Sequence, residues 1–266
     1  MTTTISATEE IIDPKPTGFV RDVASVVARE LRPTLRDPFS LIFSLVQPLF
    51  FLGLFGPLLV ATTDAPVGAT LQWFVPGILV MVALFGTGST GSNLLDDIMV
   101  GSHERTLVAP LSRSALLVGR ALKEVVPLMV QGLIVVLVAV PFGFSISIPG
   151  LVVGLLVLAL FGIGFGALSY SLALAVVGRE WMFWLVHQTV LFPLLILSGM
   201  LLPIDDGPGW MKVAAAINPI GYVVEAERAL FAGDLASSAV LGGLIAASAI
   251  TVVGLVIGTR GMRRAR

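Results

Sequence analysis

The sequence predicts an all-α polytopic membrane protein with six transmembrane helices, an N-terminal interfacial helix and a broken, apolar outer segment between spans five and six. Three observations predict it. Hydrophobic residues make up 56% of the chain and charged ones 12%, with a mean hydropathy of +0.98, whereas a soluble domain carries about 25% charged residues. The apolar residues gather into six runs, each near the roughly 20 residues that a helix needs to cross a hydrocarbon core about 30 Å thick. Lys and Arg, finally, fall almost wholly on one side of those runs.

Residues 1–37 are polar and rich in threonine and proline, so insertion is expected to begin with the first apolar helix rather than with a cleavable signal. Within this tail, residues 19–35 place Val20, Val23, Val26, Val27, Leu31 and Leu35 partly on one helical face, with Arg21, Arg29, Glu30 and Arg32 interspersed. That pattern predicts an amphipathic helix along the cytoplasmic interface, ended by Pro33 and by Arg36-Asp37-Pro38. A basic anchor that only enforces topology would look the same.

The six spans are expected at 39–60, 71–95, 118–142, 151–177, 183–202 and 239–258, with kinks at Pro48, Pro127 and Pro193, which lack the backbone donor. Counting along this topology, 14 of the 16 Lys and Arg residues lie on one face, leaving Lys212 and Arg228 on the other. Both termini are therefore expected in the cytoplasm. The outer connections at 62–70 and 145–149 are short, and only the one at 203–238 is large. The domain organisation that follows is a cytoplasmic tail with its interfacial helix (1–37), one membrane domain (38–260) and a basic tail (261–266).

Composition also excludes functions. A net charge of -1 and a pI near 6.1 give no footprint for nucleic acid. With no cysteine and only His103 and His187, neither a thiol nucleophile nor a metal centre is expected. The phosphate-cradling pattern Gly-x-x-x-x-Gly-Lys-Ser/Thr is absent from the sequence, so ATP chemistry would need another chain. Inside the spans, Gln47, Gln131, His187 and Gln188 must face a cavity or another helix, because polar groups facing lipid are unfavourable. Gly162 and Gly166, like Gly254 and Gly258, have the spacing of close helix contacts.

Two connections stand out. Residues 96–113 mix Asp97, Glu104, Arg105 and Arg113 with Met99, Leu107, Val108 and Leu111, the composition of a short amphipathic element that lays an apolar side into a groove on a soluble partner. A loop resting on lipid headgroups fits equally. After the fifth run, Leu197-Ser198-Gly199-Met200-Leu201-Leu202-Pro203 leads to Gly207-Pro208-Gly209-Trp210 and Asn218-Pro219. This stretch is too broken for a spanning helix and too apolar for an ordinary outer loop, and such backbone is tolerated at membrane depth only inside protein or against a water-filled cavity. Glu225 and Arg228, three residues apart on an expected helix, suit a local ion pair.

These residues carry a resemblance. Gly101, Glu104-Arg105, Pro110-Leu111-Ser112-Arg113 and Gly119-Arg120 resemble the cytoplasmic coupling segment of ABC type-2 permeases, in particular the daunorubicin-resistance-like branch. Arg36-Asp37-Pro38 and Gln47-Pro48 resemble that branch's first span, and Ser198-Gly199, Pro203, Pro208, Trp210, Asn218-Pro219 and Arg228 are similar to its re-entrant outer segment. The likeness extends over residues 19–258, with one departure: Glu104-Arg105-Thr106-Leu107 lacks the glycine that many members carry before Thr-Leu.

The resemblance implies half of an exporter: two membrane subunits, identical or homologous, bound to two cytoplasmic ATPase subunits that hold ATP and Mg, with no cofactor in this chain. It implies a bacterial plasma-membrane location, contact with membrane lipid, and a hydrophobic or amphipathic substrate such as a drug, lipid, glycolipid or polyketide. Coupling to the ATPase falls on Asp97, Gly101, Glu104, Arg105, Thr106, Leu107, Pro110, Ser112 and Arg113. The pathway or gate falls on spans one, two and five, with Gln47, Phe50, Phe51, His187 and Gln188. The outer segment that caps the exit holds Ser198, Gly199, Pro203, Pro208, Trp210, Asn218, Pro219, Glu225 and Arg228. Two rivals stay in view. One is a membrane-embedded enzyme on lipid-linked substrates, for which Asn93 and Asp97 have suggestive spacing but Asp205-Asp206 lies on the opposite face. The other is a sensor or immunity anchor that recruits an ATPase without transporting.

Overall fold

The computed structural model describes residues 18–36, 38–63, 65–101, 113–204 and 207–264. Among them every regular element is helical: α1 (Phe19–Arg36), α2 (Pro38–Thr63), α3 (Val67–Gly88), α4 (Thr90–Met99), α5 (Arg113–Lys123), α6 (Val125–Ala139) with a 3-10 turn at Val140–Phe142, α7 (Ile148–Ala175), α8 (Glu180–Ile196), α9 (Gly209–Ile217), α10 (Pro219–Phe231) and α11 (Ser238–Arg264). Five stretches are helical, long and apolar enough to cross a membrane: Ile42–Thr63, Val67–Met99, Ser114–Phe142, Ile148–Ala175 and Ser238–Met262. The remaining apolar run forms α8, shorter at 17 residues.

The bundle is organised around α3, in the apolar stretch Val67–Met99 that is 72% buried against 28% for those of α2 and α11. A helix apolar on every side belongs in the middle, and Phe74, Ile78, Leu79, Ala83 and Leu84 are fully covered by neighbours. The most extensive packing joins α7 to α11. There Gly254 lies against the Gly164 backbone, a Cβ on either would collide, and Thr251 Oγ1 donates to the Leu160 carbonyl at 2.6 Å. The Gly162 and Gly166 spacing serves a different contact, toward Thr87 and Thr90 of α3 and α4, while Gly258 meets Leu117 of α5.

The N-terminal helix runs through Pro33 and ends at Arg36, the start of the Arg36-Asp37-Pro38 expected to close it. Three apolar runs break or stop short of the sequence-based expectation. The second apolar run breaks at Ser89, where Ser169 of α7 repairs the interruption by donating to the Gly88 carbonyl and accepting from the Gly91 amide. The third run breaks at Glu124, one turn before Pro127, whose missing N–H leaves the Lys123 carbonyl without its helical donor. The fifth run starts at Glu180 and is helical only to Ile196, because Gly199 takes the left-handed conformation (φ +70°) and turns the chain out of register.

Candidate functional site

Three polar constellations interrupt this apolar body. At the end carrying α1, α4 and α5, Arg120 Nη2 donates to Asp97 Oδ2 at 2.6 Å and lies 3.4 Å from Glu30 Oε1. Lys123 Nζ sits 3.8 Å from Glu30 Oε2 and 3.7 Å from Glu124 Oε1. The Arg120 side chain is only 5% exposed and its guanidinium stands 5.8 Å from the Tyr170 ring centroid on α7. A cation so desolvated needs both carboxylates, since breaking such a pair leaves an uncompensated buried charge. Gly119 lets α1 cross α5 closely: a Cβ there would strike Val26. Four elements are thus tied by one guanidinium. The resemblance put Arg120 in the coupling-segment pattern, and its alignment with Asp97 and Glu30 arises only when α1 folds back onto α5.

Of the residues assigned to coupling, Asp97 is in this cluster, and Gly101 follows α4 in the left-handed region (φ +68°). Glu104, Arg105, Thr106, Leu107, Pro110 and Ser112 lie outside the described residues, and Arg113 is described in its backbone only, as the first residue of α5.

Midway along the bundle, Gln131 Nε2 of α6 donates to Ser44 Oγ of α2 at 2.6 Å. Both line a cavity of about 200 Å³ together with Gln47, Pro48, Phe85 and Ser89. Gln47 and Gln131 are therefore brought together, whereas Phe50, Phe51, His187 and Gln188 do not line this cavity. Phe51 stacks on Phe55 with centroids 5.2 Å apart, and Phe50 is exposed on α2. His187 is buried on α8, stacked 5.4 Å from Phe183 and flanked by Phe165 and Trp184, its imidazole against the open side of Gly88. Gln188 Oε1 is buried without a hydrogen-bond partner among the described residues.

At the opposite end α9 and α10 follow the broken segment. Asn218 caps α10 by accepting from the Ile220 amide at 3.1 Å, while its Nδ2 donates to the Leu194 carbonyl of α8 at 2.7 Å. Pro219 occupies the first turn of α10, where no donor is needed. Arg228 does more than the expected local pairing. Its Nη1 reaches Glu225 Oε1 at 2.5 Å, Nε donates to the Trp73 carbonyl at 3.0 Å, and Nη2 donates to the Gly199 carbonyl at 2.8 Å. Its guanidinium lies 4.0 Å from the Trp73 ring centroid. Arg228 thereby clamps α10 to α3 and to the 197–203 turn, where Ser198 Oγ donates to the Leu195 carbonyl. A cavity of about 460 Å³ opens there, lined by Ser198, Gly199, Pro203, Lys212, Glu225 and Arg228, among others. Pro208 caps α9, and Trp210 on that helix is exposed.

Residues 21–232 match the family model described as ABC-2 type transporter. The chain belongs to that family. This ABC-2 permease is 32% identical over 221 residues to the transport permease ycf38 of Cyanophora paradoxa, covering 80% of this chain and 75% of the relative. It is 29% identical to the daunorubicin resistance ABC transporter permease DrrB1 of Streptomyces coeruleorubidus, over 74% of this chain and 70% of that one. It is also 28% identical to the doxorubicin resistance permease DrrC of Mycobacterium tuberculosis, over 93% and 90%. ABC-2 permeases normally work with an ABC ATPase subunit. The permease is thus an all-helical membrane protein of a transporter family, as its sequence predicts.

Proposed function

We propose that this chain is the membrane subunit of an ATP-binding-cassette exporter that moves a hydrophobic or amphipathic molecule outward, powered by a separate ATPase chain. The observation that carries the proposal is the ion pair between Asp97 of α4 and Arg120 of α5, the two helices that flank the 102–112 connection. An ATPase pressing on that connection would displace both helices together, and with them α1 through Glu30 and α7 through Tyr170. In this scheme Gly101, Glu104, Arg105, Thr106, Leu107, Pro110, Ser112 and Arg113 meet the ATPase, which holds ATP and Mg. This chain contributes no cofactor and no metal.

In the proposed topology α8 is the fifth of six crossings. Its 17 residues extend only about 25 Å, and the apolar turn at 197–202 completes the passage. Both termini face the cytoplasm, α1 lies on the inner interface, and α9 with α10 forms the re-entrant pair that caps the exit. Residues 38–260 act as one membrane domain in a bacterial plasma membrane. A second permease subunit, identical or homologous, covers the pathway lined by spans one, two and five. The relatives named for daunorubicin and doxorubicin resistance favour drugs or polyketides within the substrate class, beside lipids and glycolipids.

The test is co-purification with an ABC ATPase and reconstitution of the complex in vesicles. Glu104→Lys and Arg105→Glu are expected to leave membrane insertion intact while separating ATP hydrolysis from substrate movement. Unchanged coupling in both variants overturns the assignment of that segment. ATPase recruitment without transport of any substrate would favour the sensor, and absence of a stoichiometric ATPase would favour the enzyme.

A further inference from the structure

Glu227 lies on α10 one residue before the clamp formed by Arg228, yet takes no part in it. Its side chain is fully buried, and neither carboxylate oxygen has a hydrogen-bond partner among the described residues. The carboxyl points at α7, into a notch left by Gly154, where a Cβ would stand 2.5 Å from Oε2, and the Phe231 ring closes the same notch.

Among the described residues no counter-charge faces it from the elements packed against α10, and α8, which meets α10 through Leu194, carries Glu180 and His187 seven or more residues earlier. Helix α3 has no ionisable side chain. Helix α7 has only Tyr170, 16 residues beyond Gly154 and beside Arg120. On α11 the cations Arg260, Arg263 and Arg264 are at the far end from Gly243, the residue that packs against Ala226 and Tyr222. Lys212 of α9 lines the outer cavity with Glu225 and Arg228. On α10 itself Arg228 is turned toward Trp73, Gly199 and Glu225, and the Tyr222 hydroxyl donates to the Ala216 carbonyl.

A lone carboxylate in such surroundings would be strongly disfavoured, so the group binds a proton in preference. We propose that Glu227 is a proton-binding site, and that the bound proton holds α10 seated in the Gly154 notch of α7, so that α10 loosens when the proton leaves. Burial pushes this carboxyl up to about 8 from an ordinary 4.5, which sets the sign. An acid raised in the seated state stabilises that state fully below the ordinary value, and the contribution disappears as pH rises through the raised one. The window is therefore 4.5 to about 8, with alkaline pH favouring release.

The test is hydrogen exchange of the α10 amides in the full-length chain in lipid nanodiscs, corrected for intrinsic exchange, at about pH 5 and about pH 9. Both faces of a nanodisc meet one pH, so the outcome does not depend on which side α10 occupies or on what is transported. The native chain is expected to lose at least about tenfold in protection at the higher pH, the equivalent of one pKa unit of linkage. Glu227→Gln, the neutral isostere, is expected to stay protected at both. A flat profile in the native chain overturns the proposal without any variant. So does a Glu227→Gln chain that keeps the pH-dependent loss, or one that fails to insert, since it copies the protonated state on which the proposal depends.

Discussion

Arg228 holds Trp73 twice, stacking its guanidinium 4.0 Å from the ring centroid while its Nε donates to the same residue's carbonyl at 3.0 Å. One side chain thus joins α10 to α3, the most buried helix of the bundle, and its Nη2 reaches on to Gly199. The planar fork makes this possible, since a lysine ammonium carries the charge without the geometry. Arg228→Lys is expected to lower the thermal midpoint of the solubilised chain, and Arg228→Ala to lower it further, by the equivalent of roughly 3 kcal/mol from charged hydrogen bonds and the ring contact. Equal midpoints for native and Lys variants would show that charge alone suffices.

The Arg120 cluster predicts an asymmetry between single and paired substitutions. Arg120→Met removes one partner each from Asp97 and Glu30, while Glu30 keeps Arg29 at 3.0 Å and Lys123 at 3.8 Å, and is expected to destabilise by about 1 to 3 kcal/mol. Asp97→Asn, which leaves Glu30 within 3.4 Å of the guanidinium, should do less. The combination of Arg120→Met with Asp97→Asn should recover part of the loss, measured as a coupling energy in a double-mutant cycle of thermal melts.

Glycines that the sequence presents alike separate in the structure. Gly254→Val is expected to abolish or severely reduce folded protein, because its Cβ would run into the Gly164 backbone. Gly53→Ala and Gly56→Ala, with nothing within 4 Å of the added carbon, should be tolerated. Monodispersity of the three variants on size-exclusion chromatography checks the contrast.

Gln131→Leu removes the donor to Ser44 and is expected to destabilise by about 0.6 to 1.7 kcal/mol, the range for hydrogen bonds between membrane helices. Ser44→Ala should leave Gln131 to rotate toward the cavity it already lines and so cost less. In a reconstituted complex, a change in substrate-stimulated ATPase activity with Gln131→Leu, beyond its effect on melting, would place the cavity on the transport path.

Much of the fold is legible in the order of residues alone. Apolar runs near 20 residues give the helices, although the run expected at 183–202 is helical only to Ile196, and the start of α10 at Pro219 appears only in the structure. The candidate sites are legible only in part. Glu225 and Arg228 are neighbours on one helix and can be paired from spacing, but Trp73 lies 155 residues away and joins them only through packing. Glu30, Asp97 and Arg120 look like three separate interfacial charges until α1 lies on α5. Glu227 is hidden for the opposite reason. On a charged-looking stretch, Glu225-Ala226-Glu227-Arg228, nothing local shows that one acid is exposed and the other fully covered.

The sequence by itself determined the membrane class, the approximate helices, the bias of positive charge and the family motifs, because hydropathy, length and capping act within a few residues of each other. Only the tertiary structure decided which glycines touch, which charges share a partner, where helices break and how the break at Ser89 is repaired by Ser169. Those outcomes depend on helices distant in sequence meeting at van der Waals range, where one Cβ or one unpaired carboxyl determines whether the contact can form.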